Sequence, residues 1–271
     1  MTEKIPLGRT TAYPEQYSPG LLYAIARTGN REALGLGVDL PFHGTDIWNA
    51  WELTWLDSGG LPQVGTAEIR IPAESPNIIE SKSLKLYVNS FAMTRYASAN
   101  DVAETIEQDL SEATEADVTV VLERPAETDD RAIAQLPGDS IDAQNLSCDA
   151  YEIDAALLSA DADDVVTENL NSHLLRSLCP VTSQPDSASL LISYTGPRID
   201  RAGLLRYIVS YRQHQDFHET CVERMFLDII ERCKAEKLTV YARYQRRGGI
   251  DINPFRSNYE GDAANTRLWS Q

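Results

Sequence analysis

The sequence predicts an α+β protein made of two like halves, and three observations carry that prediction. Segments of strand period and helix period follow one another as strand, strand, helix, helix, strand, strand, and the order runs twice along the chain. No Gly-x-Gly-x-x-Gly follows a strand, which argues against a Rossmann domain. With 271 residues, 42% of them hydrophobic, the chain can bury one large core or two of ordinary size.

Residues 1–45 are rich in Gly, Pro and Tyr, lack periodicity, and read as an irregular arm on the core. Residues 48–57 alternate, with Trp51, Leu53 and Trp55 on one face and Glu52 and Thr54 on the other, which is strand period. A turn at Ser58-Gly59-Gly60 leads into a second strand over 63–72, with Val64, Ile69 and Ile71 as its apolar markers. Over 80–91 the residues Leu84, Tyr87, Val88 and Phe91 fall at i, i+3, i+4 and i+7 and predict a helix, with Lys82, Lys85 and Asn89 off the stripe. A second helix over 100–114 rests on Val102, Ile106 and Leu110. Residues 117–123 form a β-branched strand, and a further strand is expected within 141–151.

From Pro125 to Glu168 there are twelve acids against one base, Arg131. That bias reads as surface structure grading into a linker, with the boundary at residues 159–164. The expected domains are therefore 1–158 and 159–271. In the second half, strands are expected over 170–178 and 188–194. A helix over 199–212 rests on Leu204, Leu205, Ile208 and Val209. Another, over 218–235, rests on Cys221, Val222, Met225, Phe226, Ile229, Ile230 and Cys233. A strand over 238–244 and a turn at Arg246-Arg247-Gly248-Gly249 lead to the last strand. Ile141-Asp142 and Ile250-Asp251, each after glycine, echo one another across the halves.

The net charge of −17 argues against a polynucleotide partner, whose phosphates it would repel, and suits a small substrate. No run of 18 apolar residues exists, so no membrane span is expected, and the first residues lack the apolar centre of a signal peptide. Four irregularly spaced cysteines, Cys148, Cys179, Cys221 and Cys233, read as reduced thiols of a cytoplasmic protein.

Four groups can carry chemistry. Cys179 stands seven residues before Asp186, and the prolines and polar residues between them bend the chain so that thiol and carboxyl group can meet as nucleophile and proton source. Phe217-His218-Glu219 opens a helix after Asp216, where an acceptor can bind donors on a heterocycle and a histidine can hold a proton. Asp216 and Glu219 also have the spacing of a capping box. Glu80-Ser81-Lys82 holds the matching place in the first half, where backbone N–H groups, a hydroxyl and a lysine can hold a phosphate, or simply form a capped helix end. Arg246-Arg247-Gly248-Gly249 is the densest basic spot and can pair with phosphate, or be a plain β-turn. His218 and Cys221, at i and i+3, could join Cys179 around zinc, but no Cys-x-x-Cys pair supports a metal and none is expected.

These segments resemble one family. Glu80 to Tyr87, Cys179-Pro180 with Gln184-Pro185-Asp186, Phe217-His218-Glu219, and Arg246 to Pro254 are similar to the motifs of the QueF-type nitrile reductases, in the family's order, from Trp48 to Asn258. The family comprises the NADPH-dependent 7-cyano-7-deazaguanine reductases of queuosine biosynthesis. The placement of the motifs resembles its long, two-module form. The resemblance implies tandem tunnelling-fold modules, each an antiparallel four-stranded sheet with two helices on one face, in a homodimer. It implies Cys179 as the nucleophile that forms a thioimidate and Asp186 as general acid. It further implies a deazapurine held by Ile79, Glu80, Ser81, Phe217, His218 and Glu219, and NADPH held by Ser81, Lys82, Arg247 and Gly248. A zinc-dependent pterin cyclohydrolase of the same fold and a non-catalytic purine-binding module are the alternatives.

Overall fold

The computed structural model describes residues 14–125 and 133–271. The segment read for a signal peptide, residues 1–13 of the expected arm, and Arg131 lie outside the described residues. The chain divides into two compact units interleaved in sequence: residues 1–37, 46–132 and 246–252 form the first, and residues 38–45, 133–245 and 253–271 the second.

In the first unit the described part of the expected arm holds regular structure. Strand β1 (Ala24–Ala26) and helix α1 (Thr28–Ala33) precede β2 (His43–Leu56), β3 (Pro62–Pro72) and β4 (Asn77–Ile79). β1 pairs antiparallel with β4, Ala24 opposite Ile79. The arm is also tied by side chains, because Tyr17 N donates to Thr94 Oγ1 and Tyr23 N to Ser83 Oγ. Helices α2 (Ser81–Asn89) and α3 (Ala99–Thr114) and strand β5 (Thr119–Glu123) follow, and β5 pairs antiparallel with β3. Trp48, Leu53, Trp55, Ile69 and Ile71 from the strands pack against Leu84, Tyr87, Val88, Phe91, Val102, Ile106 and Leu110 from the helices. Both helical stripes expected from sequence are therefore core. Val64 is not, at 56% exposed. It differs in parity from Ile69 and Ile71, so the two-residue period turns it to the opposite face.

The second unit holds β6 (Asp139–Ser140), β7 (Ala160–Leu178), β8 (Pro185–Ile199), α4 (Arg201–Ser210), α5 (His218–Cys233), β9 (Lys237–Tyr244) and most of β10 (Ile250–Ser257). β7 with β8, β8 with β9 and β9 with β10 all pair antiparallel. Here the order strand, strand, helix, helix, strand, strand is complete.

Two expectations fail around the middle of the chain. The acidic stretch 159–164 is not a linker but the start of β7, a strand of 19 residues. Its charge is matched by the facing strand and helix: Arg198 Nε donates to Asp164 Oδ2 at 2.6 Å, and Arg201 bonds Glu168 at 2.8 Å. No strand fills 141–151; only Asp139–Ser140 pairs, parallel to Leu170 and Asn171. Residues 133–158 consequently pack in the second unit, so the units do not follow a cut at 158/159. Asp142 accepts from Ser172 Oγ and from His173 N. In the first unit, Asp251 accepts from Asn49 Nδ2 at 2.7 Å and from the Trp51 indole, while Trp51 N donates to Gly249 O. The Ile-Asp echo thus marks two ties of like kind, one in each unit, each made by the aspartate to a neighbouring strand.

The helix pairs repeat one another in detail. Tyr87 OH donates to Asp109 Oδ2 at 2.5 Å, and Tyr207 OH donates to Asp228 Oδ2 at 2.5 Å. Ser90 Oγ donates to Tyr87 O, and Ser210 Oγ to Tyr207 O, both at 2.6 Å. Tyr87 stands edge-on to Phe91 as Tyr207 does to Tyr211. Glu80 caps α2 and Asp200 caps α4, each accepting two backbone N–H groups. α3 and α5 both run 16 residues and end on a left-handed residue, Glu115 and Lys234.

Candidate active site

The hairpin between β7 and β8 carries the thiol and the carboxyl group. Ser177 lies opposite Asp186, and Leu178 opposite Pro185. The ladder gains one more step because Cys179 N donates to Gln184 O at 2.9 Å, and Ser183 N closes the turn on Cys179 O at 3.0 Å. Ser183 takes φ +56 to make that turn. Alternate residues of a strand share a face, so Ser177, Cys179 and Asp186 point to the same side. Cys179 and Asp186 become diagonal neighbours, with Cα atoms on the order of 7 Å apart. Cys179 is 5% exposed and Asp186 8%.

The start of α5 arrives at the same carboxylate. Leu178 N donates to His214 O, and Asp216 N donates to Leu178 O, so residues 214–216 run beside the end of β7. The expected cap does not form. Phe217 is the N-cap residue and offers no side-chain bond, while Asp216 Oδ1 accepts only from the adjacent Phe217 N. Asp216 sits one residue too early, and its second oxygen lies 3.5 Å from His214 Nε2. His218 then places Nε2 3.3 Å from Asp186 Oδ2. Its ring lies flat on Tyr244, centroids 3.6 Å apart and planes 2° from parallel. His218 Nδ1 is buried without a hydrogen-bond partner among the described residues. Phe217 is half-buried and Glu219 buried.

Cys221 faces the interior, and burial, with the Asp216 charge behind it, pushes its thiol pKa well up. Among the described residues no three His, Cys, Asp or Glu side chains converge as a metal-binding group.

In the first unit, Glu80 is 1% exposed and is the cap of its own helix: its two oxygens accept from Lys82 N at 2.9 Å and Ser83 N at 2.8 Å. Those N–H groups are occupied, so anion binding there falls to the side chains of Ser81 and Lys82. Ile79 is buried in β4 beside them. The counterpart of Glu80 in the repeat is Asp200, at the start of α4. Phe217-His218-Glu219 opens the second helix of its unit, so the match expected between it and Glu80-Ser81-Lys82 does not hold.

The basic turn belongs to the same unit. Arg247 N donates to Ile250 O at 2.9 Å, and Gly248 and Gly249 adopt φ +62 and +78. A Cβ on Gly248 would come 3.2 Å from the Lys85 side chain, and one on Gly249 would press to 2.7 Å from the Glu52 carboxylate. Both glycines are therefore required by conformation, while the crowding comes from flexible side chains that can move aside. Arg246 lies over the Trp51 ring, 5.9 Å from its centroid.

Comparison with known proteins bears on this arrangement. A family model described as nitrile reductase, 7-cyano-7-deazaguanine-reductase N-term matches residues 13–122, and one described as QueF-like protein matches residues 185–263. Relatives named NADPH-dependent 7-cyano-7-deazaguanine reductase include one from Paraburkholderia phytofirmans, 54% identical over 95% of this chain and 94% of its own length. Another, from Bordetella avium, is 53% identical over 93% of each chain, and one from Burkholderia ambifaria is 55% identical over 95% and 94%. The chain belongs to the 7-cyano-7-deazaguanine reductase family.

Within this 7-cyano-7-deazaguanine reductase chain, Ile79, Glu80, Ser81 and Lys82 lie in the first matched segment. Asp186, Phe217, His218, Glu219, Arg247 and Gly248 lie in the second, and Cys179 falls between the two. Sequence reasoning missed Tyr244. An aromatic residue alternating in a buried strand signals core, and no local pattern announces that its face carries a histidine 26 residues earlier in the chain.

Proposed function

We propose that this protein reduces the nitrile of 7-cyano-7-deazaguanine to the aminomethyl group of 7-aminomethyl-7-deazaguanine, a step of queuosine biosynthesis, through a covalent intermediate on Cys179. The observation that carries the reading is the β7–β8 hairpin, which sets a thiol and a carboxyl group on one face, nearly closed to solvent, with His218 at ion-pair distance from the carboxylate. The names of the relatives supply the substrate and the cofactor.

Cys179 sulfur attacks the nitrile carbon, one π pair moves to nitrogen, and Asp186 delivers the proton that nitrogen takes up. The product is a thioimidate, a far better hydride acceptor than the nitrile. NADPH supplies the hydrides, two for each nitrile. When the C–S bond breaks, its electron pair returns to Cys179, and Phe217 shields the imine from water. An orphaned buried nitrogen costs about 1–3 kcal/mol, and a polar edge of the deazapurine would satisfy His218 Nδ1. The family resemblance supports Glu219, Glu80, Ile79 and Ser81 as further groups for the base. Ser81, Lys82, Arg247 and Gly248 hold NADPH, two cations and a close-approach glycine being the chemistry a phosphorylated dinucleotide needs.

The repeated Tyr–Asp ties, Ser back-bonds and carboxylate caps support tandem tunnelling-fold modules. Four free cysteines, three of them buried, support work in the cytoplasm. The family resemblance supports a homodimer acting on a free base, without nucleic acid or membrane as partner. Among the described residues no helix is long and apolar enough to cross a membrane.

The test is incubation with the nitrile base, NADPH absorbance and intact-protein mass being followed together. The expected result is nitrile-dependent NADPH loss, and, without NADPH, a mass gain equal to the whole base on Cys179. NADPH loss with no such adduct removes the covalent route.

A further inference from the structure

We infer that Tyr244 is a positioning residue that holds the His218 imidazole in line with Asp186. A histidine beside a carboxylate is usually oriented by a hydrogen bond on its second ring nitrogen. Here that nitrogen, Nδ1, has no partner among the described residues, so the bond that would fix the ring is missing. The ring is fixed instead by its face. It lies on Tyr244 with centroids 3.6 Å apart and planes 2° from parallel, while Nε2 stays 3.3 Å from Asp186 Oδ2.

Tyr244 is built as a fixed platform. It is the last residue of β9 and pairs with Ala188, two residues beyond Asp186 on β8, so platform and carboxylate share one strand pair. Its backbone is clamped on both sides, Gln245 N donating to Ser187 O at 2.9 Å and Gln271 Nε2 donating to Tyr244 O at 3.0 Å. The side chain is fully buried, with its hydroxyl beside Ser177 and Cys221, so the far end of the phenol is enclosed while its aromatic face is turned to His218. Orientation matters because proton delivery falls steeply once donor and acceptor leave hydrogen-bond reach.

The inference rests on the reductase reading for its rate assay, and a ligand-free measurement separates the two. In NMR spectra of the protein without substrate, the His218 ring protons should be shifted upfield by the stacked tyrosine, keep that shift in Y244F and lose it in Y244L. In rapid-mix mass spectrometry with the nitrile, Y244L should form the Cys179 adduct at least about tenfold more slowly than wild type, and Y244F should recover most of the rate. In an H218A background, Y244L should slow the adduct by less than about twofold, because the residue through which Tyr244 acts is gone. Y244M, which fills more of the site, replaces Y244L if the latter does not fold. Equal slowing with and without His218, or His218 resonances unchanged in Y244L, overturns the inference. If wild type forms no adduct at all, the reductase reading fails, and the NMR comparison still decides whether Tyr244 orients the ring.

Discussion

Ser177 and Asp186 stand directly opposite one another in the β7–β8 pair, and that register determines where Cys179 points. Two residues beyond Ser177, the thiol must lie on the face that Asp186 occupies. A slip of one residue would send the two groups to opposite sides of the sheet. The hairpin register, rather than the seven-residue spacing, makes the pair.

Cys179→Ala should abolish both the mass adduct and nitrile-dependent NADPH oxidation. Turnover surviving in this variant, at any rate above the uncatalysed background, would remove the sulfur from the mechanism.

Asp186→Asn keeps the shape and loses the proton. The expected result is a fall in kcat of about a hundredfold, with the dissociation constant of the base changed by less than about threefold. Comparable losses in both would make Asp186 a binding group.

Lys82→Ala and Arg247→Ala should each raise the KM for NADPH by about tenfold and leave kcat within about twofold, since both act on binding alone. Arg247→Lys should recover only part of the loss, because an ammonium cannot reproduce the planar fork. A kcat defect with normal KM would place these cations elsewhere.

The two buried thiols of α5, Cys221 and Cys233, should resist alkylation near pH 8. Burial pushes the Cys233 thiol up to about 11, so its thiolate fraction at pH 8 is about one in a thousand, and it rises only as the pH climbs toward that value. Cys221 is held up more strongly by the same cause, while Cys148 is half-exposed. Iodoacetamide followed by peptide mapping should label Cys148 well before Cys221 or Cys233. The reverse order would contradict the burial of α5.

Tyr207→Phe takes from Asp228 its tyrosine donor, whereas Tyr87→Phe leaves Asp109 still accepting from Tyr17 OH at 2.7 Å. The first should destabilise by about 1.5–3 kcal/mol and the second by less, each read as a lower urea midpoint. Burial, with the facing carboxylate adding to it, holds both phenols protonated far above neutrality, so the loss should not vary between pH 6 and 9.

Periodicity was a good guide where one face is buried. The stripes of α2 and α3 lie in the core as their spacing requires, as do the α5 stripe except the half-buried Ile230 and the β2 alternation except the half-buried Trp51. It failed where charge masked a strand. Asp161, Asp163 and Asp164 read as linker because nothing in residues 159–164 shows that Arg198, 34 residues after Asp164, pairs with it across the β7–β8 ladder. It failed again at Asp216, where one residue of helix phase separates a cap from a neighbour of His214. Cys179, Asp186, His218 and Arg247 were legible by type and motif. The flat contact between His218 and Tyr244 was not, because stacking leaves no trace in spacing.

The bond from Asn49 to Asp251 has a consequence for synthesis at the ribosome. It joins residues 202 positions apart, and with the Trp51–Gly249 pair it gives the first unit a strand edge that is translated long after β2. The N-terminal half must wait, its β2 edge unpaired, until residues 246–252 emerge. Closing so long a loop is slow, and an open hydrogen-bonding edge invites pairing with other nascent chains. The first unit can therefore complete its edge only after residues 246–252 have been made.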